Sequence, residues 1–421
     1  MSRGLGDVYK RQGIDNNLSL EGKRKEIQRS KYGVSENRSK LLPQINAIAG
    51  YSNNFDPPVS VTDGSSYGVP YNITQTLQHS ANAGLEMQMP LFNQTLYTSM
   101  SIAKVMEEIS RLSYGKARED VILQISKMYY LGQVTAEQIM LIKANITRLE
   151  ELRDITQAFF DNGMSMEVDL KRVNINLENL KVQYDNAQAM MKQQLNMLKY
   201  IMDYPAEKEI ALTPVNTDSI TTVALTGLSE NIYELQLSQS QVQLAERQKK
   251  IITNGYIPSL SLTGSWRYAA YTDKGYHWFH SGPSNQWFRS YGVGLTLRIP
   301  IFDGLDKTYK IKKAMIDIEN KRLAWEDARK NLQTQYLNAV NDLMNNQRNF
   351  KKQKDNYLLA EDVYAVTSDR YREGIASMTE VLQDEMQMSE AQNNYISAHY
   401  NYRVTNLMLL KLTGQIESLV K

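Results

Sequence analysis

Gly84-Leu85-Glu86-Met87-Gln88-Met89-Pro90-Leu91-Phe92-Asn93 is matched 210 residues later by Gly294-Leu295-Thr296-Leu297-Arg298-Ile299-Pro300-Ile301-Phe302-Asp303. Each decapeptide alternates apolar and polar side chains up to a proline, which is the period of a strand with one buried and one wet face. Upstream, Leu42-Pro43-Gln44-Ile45 matches Ile257-Pro258-Ser259-Leu260 at an offset of 215. Downstream, Ala117-Arg118 matches Ala328-Arg329, Gly163 matches Gly374 and Leu198 matches Leu409, all at 211. The chain is therefore one unit written twice: helix, strand, long loop, strand, very long helix, turn, returning helix.

The strand parity is the same in both copies. Ile45, Ala47, Ala49 and Tyr51 oppose Gln44, Asn46 and Ser52, and Leu85, Met87 and Met89 oppose Glu86 and Gln88. In the second copy Leu260, Leu262, Trp266 and Tyr268 oppose Ser259, Ser261, Thr263, Ser265 and Arg267, while Val293, Leu295, Leu297 and Ile299 oppose Thr296 and Arg298. The pattern predicts four strands, paired as two hairpins, with long Gly-, Ser- and aromatic-rich connections over roughly 56–80 and 272–291.

The ten prolines are confined to 43–90, 205–258 and 283–300. Proline breaks helix interiors, so 91–204 and 301–421 are left free for helix. Both stretches are rich in Lys, Glu, Gln, Leu, Met and Ala, which are good helix formers. Tyr336, Leu343, Phe350, Tyr357, Tyr364 and Tyr371 recur every seven residues, with Leu332 and Ala339 beside them. Val121, Ile125, Met128, Ile139, Ile142, Ile146 and Leu149 form a less regular stripe. A seven-residue period keeps one seam against a partner helix in a supercoil. Asp161-Asn162-Gly163 and Arg372-Glu373-Gly374 are the natural reversals. Each stretch then reads as a helical hairpin whose long arm, about 65 residues, spans on the order of 100 Å.

Composition removes most other classes. With 48 Lys+Arg against 46 Asp+Glu in 421 residues, the net charge of +2 lacks the basic excess of a nucleic-acid surface. Cysteine is absent, which excludes disulfide scaffolds, thiolate metal sites and cysteine nucleophiles. No apolar run reaches the roughly 18 residues of a membrane-spanning helix. Nucleophile elbow, P-loop, dinucleotide and zinc motifs are also missing, so no enzyme, cofactor or metal site is expected. His277 and His280 sit among Trp278, Phe279, Trp287 and Phe288 with no carboxylate at a convincing metal-ligand spacing, and the rings read as an interfacial belt or an exposed loop surface. The 19 methionines read as adaptable packing.

Four strands with a continuous apolar face, left uncovered by helices that depart from their ends, do not make a soluble sheet. In lipid only a closed barrel leaves no edge, and four strands are too few to close one. Several copies must then contribute, and the helices would continue the barrel as a hollow tube. The competing reading is a periplasmic coiled-coil adaptor without a pore.

The repeated strand entry, the strand exit ending in Pro-Leu/Ile-Phe and the Gly-centred helical turns resemble the TolC family of outer-membrane efflux proteins, over about 16–414. Residues 1–12 do not join the pattern and read as a non-native scar, with the native amino terminus expected to be missing. The first repeat is placed at 13–204, with strands about 43–55 and 81–91 and helices about 94–160 and 166–200. An equatorial linker occupies 205–229. The second repeat is placed at 230–414, with strands about 257–271 and 291–301 and helices about 304–371 and 377–412, before a tail at 415–421. The resemblance implies a mostly α fold whose four strands join a trimeric 12-stranded transmembrane β-barrel and α-barrel tunnel. It implies a collar drawn from the N-terminal region, the linker and the tail. It also implies outer-membrane lipid around the barrel and docking to a periplasmic adaptor (a membrane fusion protein) and an inner-membrane pump. The whole would be a passive exit duct for efflux or type I secretion, gated at the periplasmic helical tips.

Site residues follow from the same resemblance. Family members carry acids six and nine residues after the second tip glycine, forming rings that constrict the tunnel. Here Glu380 stands at the sixth position, and Gln383 at the ninth is followed by Asp384. The matching acid in the first repeat is Asp169, to which a Tyr three residues before the second glycine, here Tyr371, would hydrogen-bond as a tip latch. The Arg that would complete this network two residues after Gly374 is replaced by Ala376. The plainer readings are that Glu380 favours a helix N-terminus and that Tyr371 closes its apolar stripe.

Overall fold

The structure is a computed structural model; it describes residues 13–57, 59–63, 65, 68, 70–75, 77–213, 227–272 and 287–420. In chain order the elements are α1 (Leu18–Ser39), β1 (Gln44–Asn53), β2 (Val59–Asp63), β3 (Tyr71–Gln75), β4 (His79–Phe92), α2 (Gln94–Asp161), α3 (Glu167–Ile201), α4 (Tyr233–Asn254), β5 (Ser259–Thr272), β6 (Trp287–Arg298), α5 (Asp306–Arg372) and α6 (Met378–Leu412), followed by a 3₁₀ turn at Ile416–Leu419. His277, His280, Trp278 and Phe279 lie outside the described residues, as do 214–226 of the linker. The chain divides into two compact units.

The first unit comprises 1–27, 109–239 and 322–421 and is helical. Its seams are heptads on facing helices. On α5, Leu343, Tyr364 and Tyr371 are buried, and Tyr336, Phe350 and Tyr357 are packed beside them. On α6 a second heptad, Val381, Met388, Tyr395, Tyr402 and Leu409, is buried throughout. The aromatic members stack across the seam: the Phe350 ring centre lies 5.8 Å from both Tyr395 and Tyr402, and Tyr357 lies 5.7 Å from Tyr395. Offset ring pairs of this kind add about 1 kcal/mol each to the burial of their area. Elsewhere in the unit Leu20, Ile210 and Ile416 join Ile122 and Ile125 of α2 in one cluster, so segments far apart in sequence share a core.

The second unit comprises 28–108 and 240–321 and holds the sheet. Its four antiparallel strands run in the order β1-β4-β5-β6. The expected hairpins β1–β4 and β5–β6 are present, and β4 also pairs with β5, which turns two hairpins into one sheet across the repeat boundary. Register places Ile45, Met87, Gly264 and Val293 in one row and Ala47, Leu85, Trp266 and Tyr291 in the next, so the apolar faces coincide across all four strands. That face is open: Val293 is 80% and Leu295 66% exposed in the single chain. Within the expected loop at 56–80, β2 and β3 form a separate hairpin. Alternation there (Val59, Val61) is too short to stand out from its Pro- and Gly-rich flanks.

The entry to α5 departs from the first repeat. Asn93 begins α2 directly, its Oδ1 accepting from the Thr95 and Leu96 amides at 3.1 and 3.3 Å. The second repeat is one residue longer here, and Gly304 and Leu305 both lie at φ +67°. A leucine in the left-handed region is strained by its Cβ, at a cost of about 1–2 kcal/mol. Leu305→Gly is therefore expected to raise the thermal midpoint by a few degrees, read by circular dichroism; a lowered midpoint would show that the exposed Leu305 side chain contributes more than the strain removes.

Candidate functional site

The two helical turns close with the same hydrogen bonds. The Gly163 amide donates to Phe160 O at 2.9 Å and the Met164 amide to Phe159 O at 2.8 Å; Gly374 repeats this to Tyr371 O at 2.9 Å and Ile375 to Arg370 O at 2.8 Å. Both glycines are left-handed, at φ +74° and +75°. This is the pattern that ends a helix by using its last carbonyls, and it favours a residue without a Cβ.

Beyond the turns the repeats diverge. Ser377 caps α6: its Oγ accepts from the Glu380 amide, and the Glu380 carboxylate accepts from the Ser377 amide, both at 3.3 Å. Glu380 is exposed, and Asp384, one turn on, is half-buried in a groove with Asn356, Leu359 and Val363 of α5. The equivalent cap of α3 is Met166, whose side chain caps nothing. Asp169, the counterpart of Glu380, pairs with Arg172 at 3.3 Å and accepts from Ser165 at 3.5 Å.

The expected Tyr371–Asp169 latch is not formed. Tyr371 is 6% exposed, lies 5.6 Å from the Phe159 ring and donates its hydroxyl to Thr156 Oγ1 at 3.4 Å. Its place at the end of the apolar heptad turns the ring inward, among Leu152, Val381 and Leu382. Two arginines near the turns also link the hairpins. Arg172 of α3 donates to Thr379 Oγ1 of α6 at 3.3 Å, and Arg372 of α5 reaches Glu151 of α2 at 3.5 Å.

Next to Asp384, Glu385 has gone unnoticed in the sequence. It sits four residues after Val381 and three before Met388, on the buried face of α6, and is 4% exposed. Its Oε1 has no hydrogen-bond partner. The nearest cation, Arg148, donates to Glu361 Oε1 at 3.1 Å and lies 3.7 Å from the Met388 sulfur. Burial outweighs the attraction of Arg148 and pushes the Glu385 carboxyl up from its ordinary 4.5 to about 7. Further along α6, His399 is fully buried between Arg403, whose Nε donates to His399 Nε2 at 2.9 Å, and Glu137, whose Oε2 lies 3.4 Å from Nδ1. At that second separation the two atoms do not form a well-made hydrogen bond. Burial works to raise the Glu137 carboxyl, but His399, the Tyr395 hydroxyl at 2.9 Å and Arg403 prevail and hold it below its ordinary value. No cluster of His, Asp or Glu among the described residues is arranged to hold a metal.

The family model for outer membrane efflux protein matches residues 11–202 and 224–415, both repeats in turn. The chain belongs to the outer membrane efflux protein family. It is 21% identical over 399 residues to outer membrane protein TolC of Vibrio cholerae, covering 91% of this chain and 84% of that one. It is 23% identical over 379 residues to the probable efflux pump outer membrane protein TtgC of Pseudomonas putida, covering 85% and 75%. Among solved structures the fold is similar to that of CusC, with a TM-score of 0.81 at 16% identity over 97% of this chain and 91% of the other. This efflux protein is an outer-membrane protein.

Proposed function

We propose that three copies of the chain join their four-stranded sheets into a 12-stranded barrel, forming the passive exit duct of a tripartite efflux or type I secretion system. The observation that carries this is the sheet. Its order leaves β1 and β6 as open edges among the described strands, and its apolar face is uncovered. Open edges and bare apolar rows are untenable together in water, while in lipid they are resolved only by closure with other copies. The family match to both repeats and the uncovered apolar face leave the poreless adaptor without support. A periplasmic adaptor and an inner-membrane pump are the partners that such a duct takes, because a passive conduit draws its energy from outside itself.

At the helical tips, Glu380 is the acid that a threefold assembly would bring into a ring, with Asp384 behind it. Its role in the capping box can be separated from a role in the pore, because glutamine serves the third helical position of a capping box as well as glutamate does. Glu380→Gln is therefore expected to cost no more than about 0.3–1 kcal/mol of stability, from the lost charge at the helix start, while lowering the potassium-to-chloride permeability ratio several-fold in planar bilayers. An unchanged reversal potential would remove the ring. A wild-type trimer that never conducts would remove the duct.

A further inference from the structure

The polar face of the sheet carries one charged pair away from the strand ends. Glu86 of β4 and Arg267 of β5 lie on it, two rows apart in the ladder, since Glu86 is level with Ser265 and Arg267 with Gly84. Arg267 Nη2 donates to Glu86 Oε1 along this diagonal. Gly84 makes the contact possible: a Cβ there would come within 2.4 Å of Trp266 O, 2.9 Å of Arg267 Cα and 3.0 Å of Arg267 Cγ. Only a bare backbone lets the arginine stem pass over β4 to its partner. The opposite flank is equally bare, because Ser265 faces Gly292 and a Cβ added to Gly292 meets nothing within 4 Å. The pair thus stands in a notch with Asn46, Gln88, Thr263 and Ser265, half-exposed, without other charges.

A half-exposed pair of this kind adds little stability, roughly 0–1 kcal/mol. Its position is more telling. In the proposed duct, on which this inference rests, the polar face lines the lumen, where fixed charges bias the passage of ions. Threefold repetition would set three such pairs around the passage, carried by backbone rows about 7 Å apart but with each carboxylate and guanidinium in contact. We propose that Glu86 and Arg267 form a self-neutralising selectivity site on the barrel wall, which keeps the exit passage indifferent to the sign of small ions.

The test is the reversal potential of the reconstituted channel in a potassium chloride gradient. Glu86→Gln exposes the guanidiniums and is expected to shift permeability toward chloride by about twofold or more. Arg267→Gln exposes the carboxylates and shifts it toward potassium by a similar factor. The exchanged double variant Glu86→Arg/Arg267→Glu, and the charge-preserving Arg267→Lys, return it toward wild type. A pair that merely staples β4 to β5 would lower the yield of assembled channel equally in both single variants, without shifts of opposite sign, and that result overturns the proposal. Wild-type channels that conduct while neither variant shifts would overturn it too. If the wild type itself never conducts, the duct reading fails first and this site fails with it.

Discussion

Val293→Arg is expected to abolish membrane insertion, while Gly292→Arg, one residue away, is tolerated. The two positions face opposite sides of β6. Val293 is 80% exposed on the apolar row with Ile45, Met87 and Gly264, near the middle of the strand, whereas Gly292 faces the polar notch with open space above it. An arginine on the lipid face near the bilayer midplane costs about 2–4 kcal/mol in a β-barrel. Over the three copies of the proposed trimer that becomes roughly 6–12 kcal/mol, comparable with the whole stability of a folded domain. Flotation with liposomes and recovery in the outer-membrane fraction read the result directly. Equal behaviour of the two variants would mean that the faces of the sheet are not distinguished by lipid, and the barrel reading would be lost.

The second large effect concerns pH. Glu385 keeps its proton to about pH 7 in the folded bundle, against an ordinary 4.5. A raised carboxyl pKa means that stability is complete below about 4.5, falls as the unfolded chain ionises first, and levels off above about 7. The span corresponds to roughly 3 kcal/mol, less whatever local hydration relieves. The groups able to answer the charge are Arg148, already shared with Glu361, and the buried Tyr364 hydroxyl, itself raised by burial and by Glu385. Glu385→Gln is therefore expected to stabilise the helical unit by about 2 kcal/mol at pH 8 and by almost nothing at pH 4, read as guanidinium midpoints against the parent at each pH. An equal gain at both values would point to better packing instead of a removed charge. Glu137 works in the other direction: its lowered value gives stability above its ordinary range that is lost as the pH falls through the folded value.

Both predictions draw on features that differ in how they could be read from sequence. The strands and their faces were legible because alternation is local, and the repeat supplied each strand with an independent copy. The β4–β5 pairing was not, since it joins two hairpins through contacts some 180 residues apart, and no local pattern encodes that register. The α6 heptad was present in the sequence as Val381, Met388, Tyr395, Tyr402 and Leu409, and it would have placed Glu385 on the buried face had its phase been followed. Asp384 drew attention because it adjoins a position inherited from the family, while the acid actually removed from water is its neighbour. Tyr371 shows the same lesson from the other side. Its membership of a seven-residue stripe outweighed the role carried over by resemblance, because the heptad fixes where the ring points and the hydroxyl follows the ring to Thr156.

The unequal caps of the two turns bear on how such an assembly could move. Ser377 and Glu380 lock the first turn of α6 with reciprocal bonds, whereas Met166 leaves the start of α3 without a side-chain acceptor, a difference of about 1 kcal/mol per hairpin. A ring of six hairpins from three chains would alternate stiff and compliant arms. Its softest distortion would then keep threefold order and break the pseudo-sixfold one, so that dilation begins as a triangle, and only a larger load would recruit the remaining arms into a circle.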